Sequence, residues 1–263
     1  MILYGRNPVM EALRGRRAHT VGEVWATPGA AREPWLTGIA IRRVTPEEIA
    51  ERCGSEAHQG ICAQAGGYPY VSADEMLAEP DLIVALDQVQ DPQNLGSICR
   101  TAECAGATGV VIPERRAAEV TPAVCKASAG AVEHLRVARV RNLADFLVQA
   151  RDAGCWSYGA SAPLADGPLA AGVEDRSRTE SPAKGRGGAG ATVPYDRPDY
   201  RGGVVLVLGS EGRGLRPRVA GACDQLIALP VLGRIESLGV SAAAAAILYE
   251  ILQNRRGTLD NAP

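Results

Sequence analysis

The sequence predicts an α/β protein in which a larger domain built on a mainly parallel sheet follows a small α/β domain. Three observations carry that expectation. Apolar runs of strand length recur at 82–86, 109–112, 135–140, 155–160, 204–208 and 226–229, and they are continuous rather than alternating, as strands covered on both faces require. Helix-like stretches separate most of them, which is what crossovers between parallel strands need. The length, 263 residues, suits one large domain or two modest ones at about 150 residues each, and the texture changes after Gly66-Gly67-Tyr68-Pro69-Tyr70.

In the first block, Asn7-Pro8 offers an N-cap and a proline at the first helical position of a helix over 7–14, with Gly15 as its C-cap. The apolar pieces 21–26 and 39–44 read as strands, and Thr45-Pro46-Glu47-Glu48 starts a second helix that runs to about Arg52. The expected organisation is a domain over 1–72, a linker over 73–80 and a second domain over 81–263. One segment of the second domain breaks the pattern. Residues 172–199 are rich in Gly, Ser, Pro and mixed charge, and Glu174, Asp175, Glu180, Asp196 and Asp199 nearly cancel the positive charges around Lys184-Gly185-Arg186. That composition reads as a mobile surface insertion, with a basic RNA-touching loop as the alternative.

Composition excludes several classes. Apolar residues make up 46%, charged residues 22%, and mean hydropathy is -0.05, the profile of a folded, water-soluble chain. The best membrane candidate, 240–252, is too short for a span and carries Glu250. The N-terminus shows no secretory pattern, so the expected compartment is the cytoplasm. Seven scattered cysteines never form Cys-x-x-Cys, and the three histidines have no i, i+4 pair, so neither a disulfide framework nor a metal site is expected. With a net charge of -2 and a pI near 6.0 there is no global basic field, and any nucleic-acid contact has to be local. Only Lys126 and Lys184 among the 28 basic residues are lysines. The arginine excess suits bidentate phosphate contacts, and genomic base composition explains it equally well.

Neither Gly-x-Gly-x-x-Gly nor Gly-x-x-x-x-Gly-Lys-Ser/Thr occurs at a strand end, which removes support for dinucleotide dehydrogenases and P-loop enzymes. Three other loops stand out. The first runs from Leu86 through Asp91-Pro92-Gln93-Asn94-Leu95-Gly96 to Arg100-Thr101-Ala102, with Asn94 placed to cap a helix and Arg100 further along it, free for chemistry or paired with Glu103 or Asp91. The second, Leu208-Gly209-Ser210-Glu211-Gly212-Arg213-Gly214-Leu215, leaves an apolar strand through glycines that allow close ligand approach, with Glu211 either functional or an exposed turn residue. The third, Leu229-Pro230-Val231-Leu232-Gly233-Arg234-Ile235-Glu236-Ser237-Leu238-Gly239, opens onto an alanine-rich helix that Ser237 is expected to cap. Close packing in the core or at a subunit interface accounts for the alanines.

The order and wording of these loops resemble the three motifs of the SpoU/TrmH branch of the SPOUT methyltransferases, over about residues 81–256. Tyr4-Gly5-Arg6-Asn7-Pro8-Val9 and His58-Gln59-Gly60 likewise resemble the ribosomal-protein-like RNA-binding domain of the 23S rRNA guanosine 2'-O-methyltransferases, here shortened around 28–41. The resemblance implies a C-terminal α/β-knot domain threaded into a trefoil, an exception to the avoidance of knots. It also implies S-adenosylmethionine as cofactor, an RNA ribose 2'-hydroxyl as acceptor and a homodimer formed through the knot domain. By the same resemblance Gly209, Ser210, Glu211, Gly212, Leu229, Val231, Gly233, Ser237 and Leu238 bind the cofactor, and the catalytic set is Arg100 as general base with Asn94, Glu211 and Ser237. One position departs: Gly239 stands where the family usually has Asn, one of its active-site polar groups. The alternatives are a tRNA ribose 2'-O-methyltransferase and a non-catalytic RNA-binding or ribosome-assembly protein of the same fold.

Overall fold

A computed structural model of the chain describes residues 1–161, 192–234 and 237–259. The N-terminal part folds as β1 (Ile2–Tyr4), α1 (Arg6–Arg14), β2 (Val21–Ala26), β3 (Ile41–Arg43), α2 (Pro46–Cys53) and β4 (Ile61–Ala65). These strands form a mixed four-stranded sheet in the order β1-β4-β2-β3, in which only β2 and β3 run parallel. Thr45 and Glu48 close α2 with the reciprocal capping box that their spacing predicts, and Gly54 in the left-handed conformation ends it. The start of α1 differs from expectation. The helix begins at Arg6 with Gly5 as its cap, and Asn7 lies inside the first turn. Gly5 can take that position because its φ is +95°.

After the short α3 (Ala73–Leu77), which Ser72 and Glu75 cap, the chain enters the larger unit. Its elements are β5 (Leu82–Asp87), α4 (Pro92–Cys104), β6 (Gly109–Pro113), α5 (Pro122–Ala127), β7 (Arg136–Val140), α6 (Leu143–Asp152), β8 (Trp156–Ala160), β9 (Val193–Pro194), β10 (Val204–Gly209), α7 (Pro217–Ala220), β11 (Gln225–Ala228) and α8 (Val240–Leu259). The seven strands lie in the order β7-β6-β5-β10-β8-β11-β9, and every pairing is parallel. The predicted mainly parallel sheet is therefore present. All six residues of β5 and 204–208 of β10 are buried, which explains why their sequences show no alternation. On α8, Ala244, Ile247, Leu248 and Ile251 are buried at the spacing of one helical face. The insertion expected over 172–199 lies outside the described residues as far as 191; its last part carries β9.

The strand order places the site. From β5 the chain moves outward through β6 and β7, then crosses to β8, and β10 returns to lie between β5 and β8. Connections leave β5 and β10 in opposite directions, and a crevice opens beyond the carboxyl ends of strands at such a reversal.

Candidate active site

The crevice is real. A cavity of about 580 Å³ lies at the carboxyl ends of β8, β10 and β11, walled by Leu208, Ile227, Leu229, Val231 and Ile247 and floored by the glycine-rich loop after β10. This volume is in the range of small-molecule sites. Glu211 is the one charged side chain among the described lining residues. The remaining polarity comes from backbone groups and from Ser161, Ser210 and Ser237.

The floor is held by backbone geometry. Ser210 and Gly214 exchange N–H···O bonds of 3.2 and 2.9 Å, which folds the loop back on itself. A Cβ on Gly209 would lie 2.1 Å from the backbone carbon of Gly214, so only glycine permits this hairpin. Beneath it, fully buried Asp87 accepts the Arg216 backbone N–H at 2.8 Å and the Arg216 Nε–H at 2.8 Å. Asp87 is the last residue of β5 and is paired in register with Gly209. This ion pair therefore staples the far end of the loop to the strand end where it begins. Sequence reading missed both residues. The available signal was a carboxylate ending an apolar strand, Leu82-Ile83-Val84-Ala85-Leu86-Asp87, whose buried charge demands a partner.

Asn94 and Glu211 meet across the mouth of the cavity, where Asn94 Nδ2 donates to Glu211 Oε1 at 3.1 Å. Asn94 is not the cap of α4. Pro92 occupies the first turn, Asp91 is the cap and accepts from the Gln93 N–H at 3.1 Å, and Asn94 is thereby released to reach Glu211. Ser237 lines the cavity from the segment before α8. It does not cap that helix, which starts at Val240. A Cβ on Gly239 would lie 3.6 Å from Glu211 Oε1, so this position borders the same carboxylate with room to spare.

Of the nine residues expected at the cofactor, eight line the cavity: Gly209, Ser210, Glu211, Gly212, Leu229, Val231, Ser237 and Leu238. Gly233 lies off it. Arg100 also lies apart from it, exposed on α4 with no hydrogen bond or ion pair among the described residues, including none to Glu103 or Asp91. The geometry of α4 explains this: six residues separate Arg100 from Asn94, which is about 240° of rotation and about 9 Å of rise. The two side chains leave the helix on different faces.

Residues 81–249 match the model of the SpoU rRNA Methylase family, and residues 2–71 match RNA 2'-O ribose methyltransferase substrate binding. An uncharacterized tRNA/rRNA methyltransferase of Mycolicibacterium vanbaalenii is 36% identical over 97% of this chain and 77% of its own length. YacO of Bacillus subtilis, assigned to the TrmH family of tRNA/rRNA methyltransferases, is 34% identical over 95% of this chain and 94% of its own. Among solved structures, the AdoMet-bound rRNA methyltransferase of Sinorhizobium meliloti superposes with a TM-score of 0.72 at 24% identity, over 96% of this chain and 86% of that one. The SpoU methyltransferase AviRb of Streptomyces viridochromogenes, in complex with AdoMet, gives 0.73 at 22%, over 98% and 91%. The parallel sheet, the cavity at its carboxyl edge and these matches together show that the chain belongs to the SpoU rRNA methylase family of RNA methyltransferases.

Proposed function

We propose that this methylase transfers the methyl group of S-adenosylmethionine to a ribose 2'-hydroxyl of RNA, with a guanosine of 23S rRNA as its target. The observation that carries the reading is the cavity: an apolar wall, a backbone-lined floor and one carboxylate held at the mouth by Asn94. These features fit the cofactor, which has an adenine to bury, polar ends suited to backbone groups and a positively charged sulfonium suited to a carboxylate. Gly209, Ser210, Gly212, Leu229, Val231, Ser237 and Leu238 would hold it. When bound, it supplies an electrophilic methyl group.

The chain's own residues supply position. Asn94 fixes the Glu211 carboxylate, which can accept a hydrogen bond from a ribose hydroxyl, and Ser237 offers a second polar contact in the cavity lining. Holding the acceptor oxygen in near-attack geometry contributes several kcal/mol without further chemistry. Arg100 is assigned to take the hydroxyl proton. A guanidinium accepts no proton while charged, so that role depends on the environment the RNA phosphate creates around it. Its place off the cavity adds a requirement that the bound RNA, or a second copy of the chain, bridges the two. A homodimer through α8 belongs to the same reading and is supported by Leu232, Leu238 and Tyr249, which are 86%, 50% and 46% exposed on the cavity loop and on α8.

The test is transfer of tritiated methyl from S-adenosylmethionine into protein-free 23S rRNA and bulk tRNA, followed by nuclease digestion and nucleoside mass spectrometry. Ribose-methylated guanosine in the rRNA is expected. Label confined to tRNA would move the target, and no label with cofactor binding intact would favour the non-catalytic alternative. Arg100→Ala is expected to abolish turnover while cofactor binding survives, and unchanged turnover would remove Arg100 from the base role.

A further inference from the structure

We propose that the rim of the sheet above β6 and β7 docks the RNA backbone next to the target nucleotide, through Arg115, Arg116 and Arg141. The inference rests on the methyltransferase reading and names where its RNA lies. With a net charge of -2, the chain has to concentrate positive charge locally to hold a polyanion.

The three arginines are brought together by strand register. Pro113, the last residue of β6, pairs with Val140, the last of β7, and the Glu114 N–H donates to the Val140 carbonyl at 2.9 Å. Arg115 and Arg116 therefore leave one strand, and Arg141 the next, within three residues of one paired position. All three are exposed, and none makes a hydrogen bond or ion pair among the described residues. Elsewhere Arg151, Arg216 and Arg218 each pair with a carboxylate. Within the patch Arg139 takes up Glu119 at 2.8 Å and stacks over Tyr70 at 5.4 Å, which leaves Glu114 as the remaining carboxylate of the segment. Arg116 also has a φ of +57°, a left-handed conformation uncommon for a residue other than glycine. Backbone strain of this kind concentrates where a side chain is aimed for function.

The patch is joined to the site. The Ala118 N–H donates to the Val89 carbonyl at 2.9 Å, so the loop after β6 rests on the loop that leads from Asp87 to the Asp91 cap and Asn94. In the order β7-β6-β5-β10 the patch and the cavity occupy the same carboxyl edge, two to three strand spacings or about 10–14 Å apart. That is a span a few nucleotides cover.

The test compares wild type with Arg115→Ala/Arg116→Ala/Arg141→Ala and with Arg201→Ala, a control at the opposite edge of the sheet, before β10. Filter binding to a protein-free 23S rRNA transcript and to bulk tRNA is measured from 50 to 300 mM salt, alongside S-adenosylhomocysteine titration and methyl transfer. Losing three phosphate contacts is expected to lower the slope of log affinity against log salt by about 2, and to raise the KM for RNA with kcat and cofactor affinity retained. The control keeps the wild-type slope. An unchanged slope in the triple variant, or wild-type protein that binds neither RNA, overturns the proposal. Wild type that binds with a steep slope which the variant loses, yet methylates neither RNA, sustains the docking surface and defeats the methyltransferase reading instead.

Discussion

Asp87 and Arg216 do by charge what the glycines around Gly209 do by absence of side chain: both fix the floor of the cavity before a ligand arrives. Asp87 is fully buried and accepts from both the backbone and the side chain of Arg216. Hydrogen bonds to a charged group are each worth about 1.5–3 kcal/mol, which corresponds to roughly 10- to 100-fold in affinity if the loop must re-form on binding. Asp87→Ala is therefore expected to weaken S-adenosylhomocysteine binding by that factor, measured by calorimetric titration, with Asp87→Asn falling between it and wild type. A variant that binds as wild type does would reduce the pair to a stabilising contact. The cysteines give a second expectation at this scale. Burial pushes the Cys99, Cys125 and Cys223 thiols up to about 12, whereas Cys104 is exposed. A raised pKa empties the reactive thiolate, so Ellman's reagent at pH 8 should titrate Cys104 first and reach those three only on unfolding.

At the scale of elements, α4 is positioned by its contact with α5. A Cβ on Gly96 would meet Ala127 Cβ at 2.4 Å and the Ser128 nitrogen at 2.9 Å, so the two helices approach as closely as backbone allows. Gly96→Ala gains about 1 kcal/mol of helix propensity and loses about 1–3 kcal/mol to overpacking. It also pushes the turn that carries Asn94 away from Glu211. The expected result is a Tm lowered by a few degrees together with a larger loss of methyl transfer, and a variant with full activity would separate helix packing from the site. How much of this was legible in the sequence depended on range. The strands of the large sheet were readable because burial on both faces makes a run such as Val204–Gly209 continuous in apolar residues. Residues 2–4 and 61–65 were not assigned as strands, since both are short and are stabilised by each other across some 60 residues. Caps were misplaced by a few residues where the decisive feature was a backbone angle, at Gly5, or a competing neighbour, at Asp91. Of the site, the loop residues were legible as motifs. The separation of Arg100 from the cavity and the Asp87–Arg216 pair were not, because each depends on how distant segments meet.

At the scale of the molecule, the part that matches the substrate-binding model and the part that matches the methylase model are fastened by a buried charge. Arg17, before β2, and Glu133, after α5, are both fully buried, and Arg17 Nε donates to Glu133 Oε2 at 2.7 Å. Arg17 also reaches the Gly66 carbonyl at 3.2 Å, and the Tyr68 hydroxyl lies 2.8 and 2.7 Å from the Val132 and Leu135 carbonyls. A junction of this kind leaves little freedom for the small sheet to swing relative to the large one, so under the proposed function an RNA held by the small sheet would reach the cavity in a fixed orientation. Breaking a buried pair by removing one partner costs about 3–5 kcal/mol, whereas replacing both with apolar residues is often neutral. Glu133→Ala is accordingly expected to lower Tm by 6 °C or more, and Arg17→Met/Glu133→Leu to recover most of that loss. The informative comparison is activity at a temperature where both variants are folded. If the charged pair sets orientation as well as stability, the double variant melts like wild type yet shows a raised KM for RNA at unchanged cofactor affinity; full recovery of both would show that apolar packing alone fixes the joint.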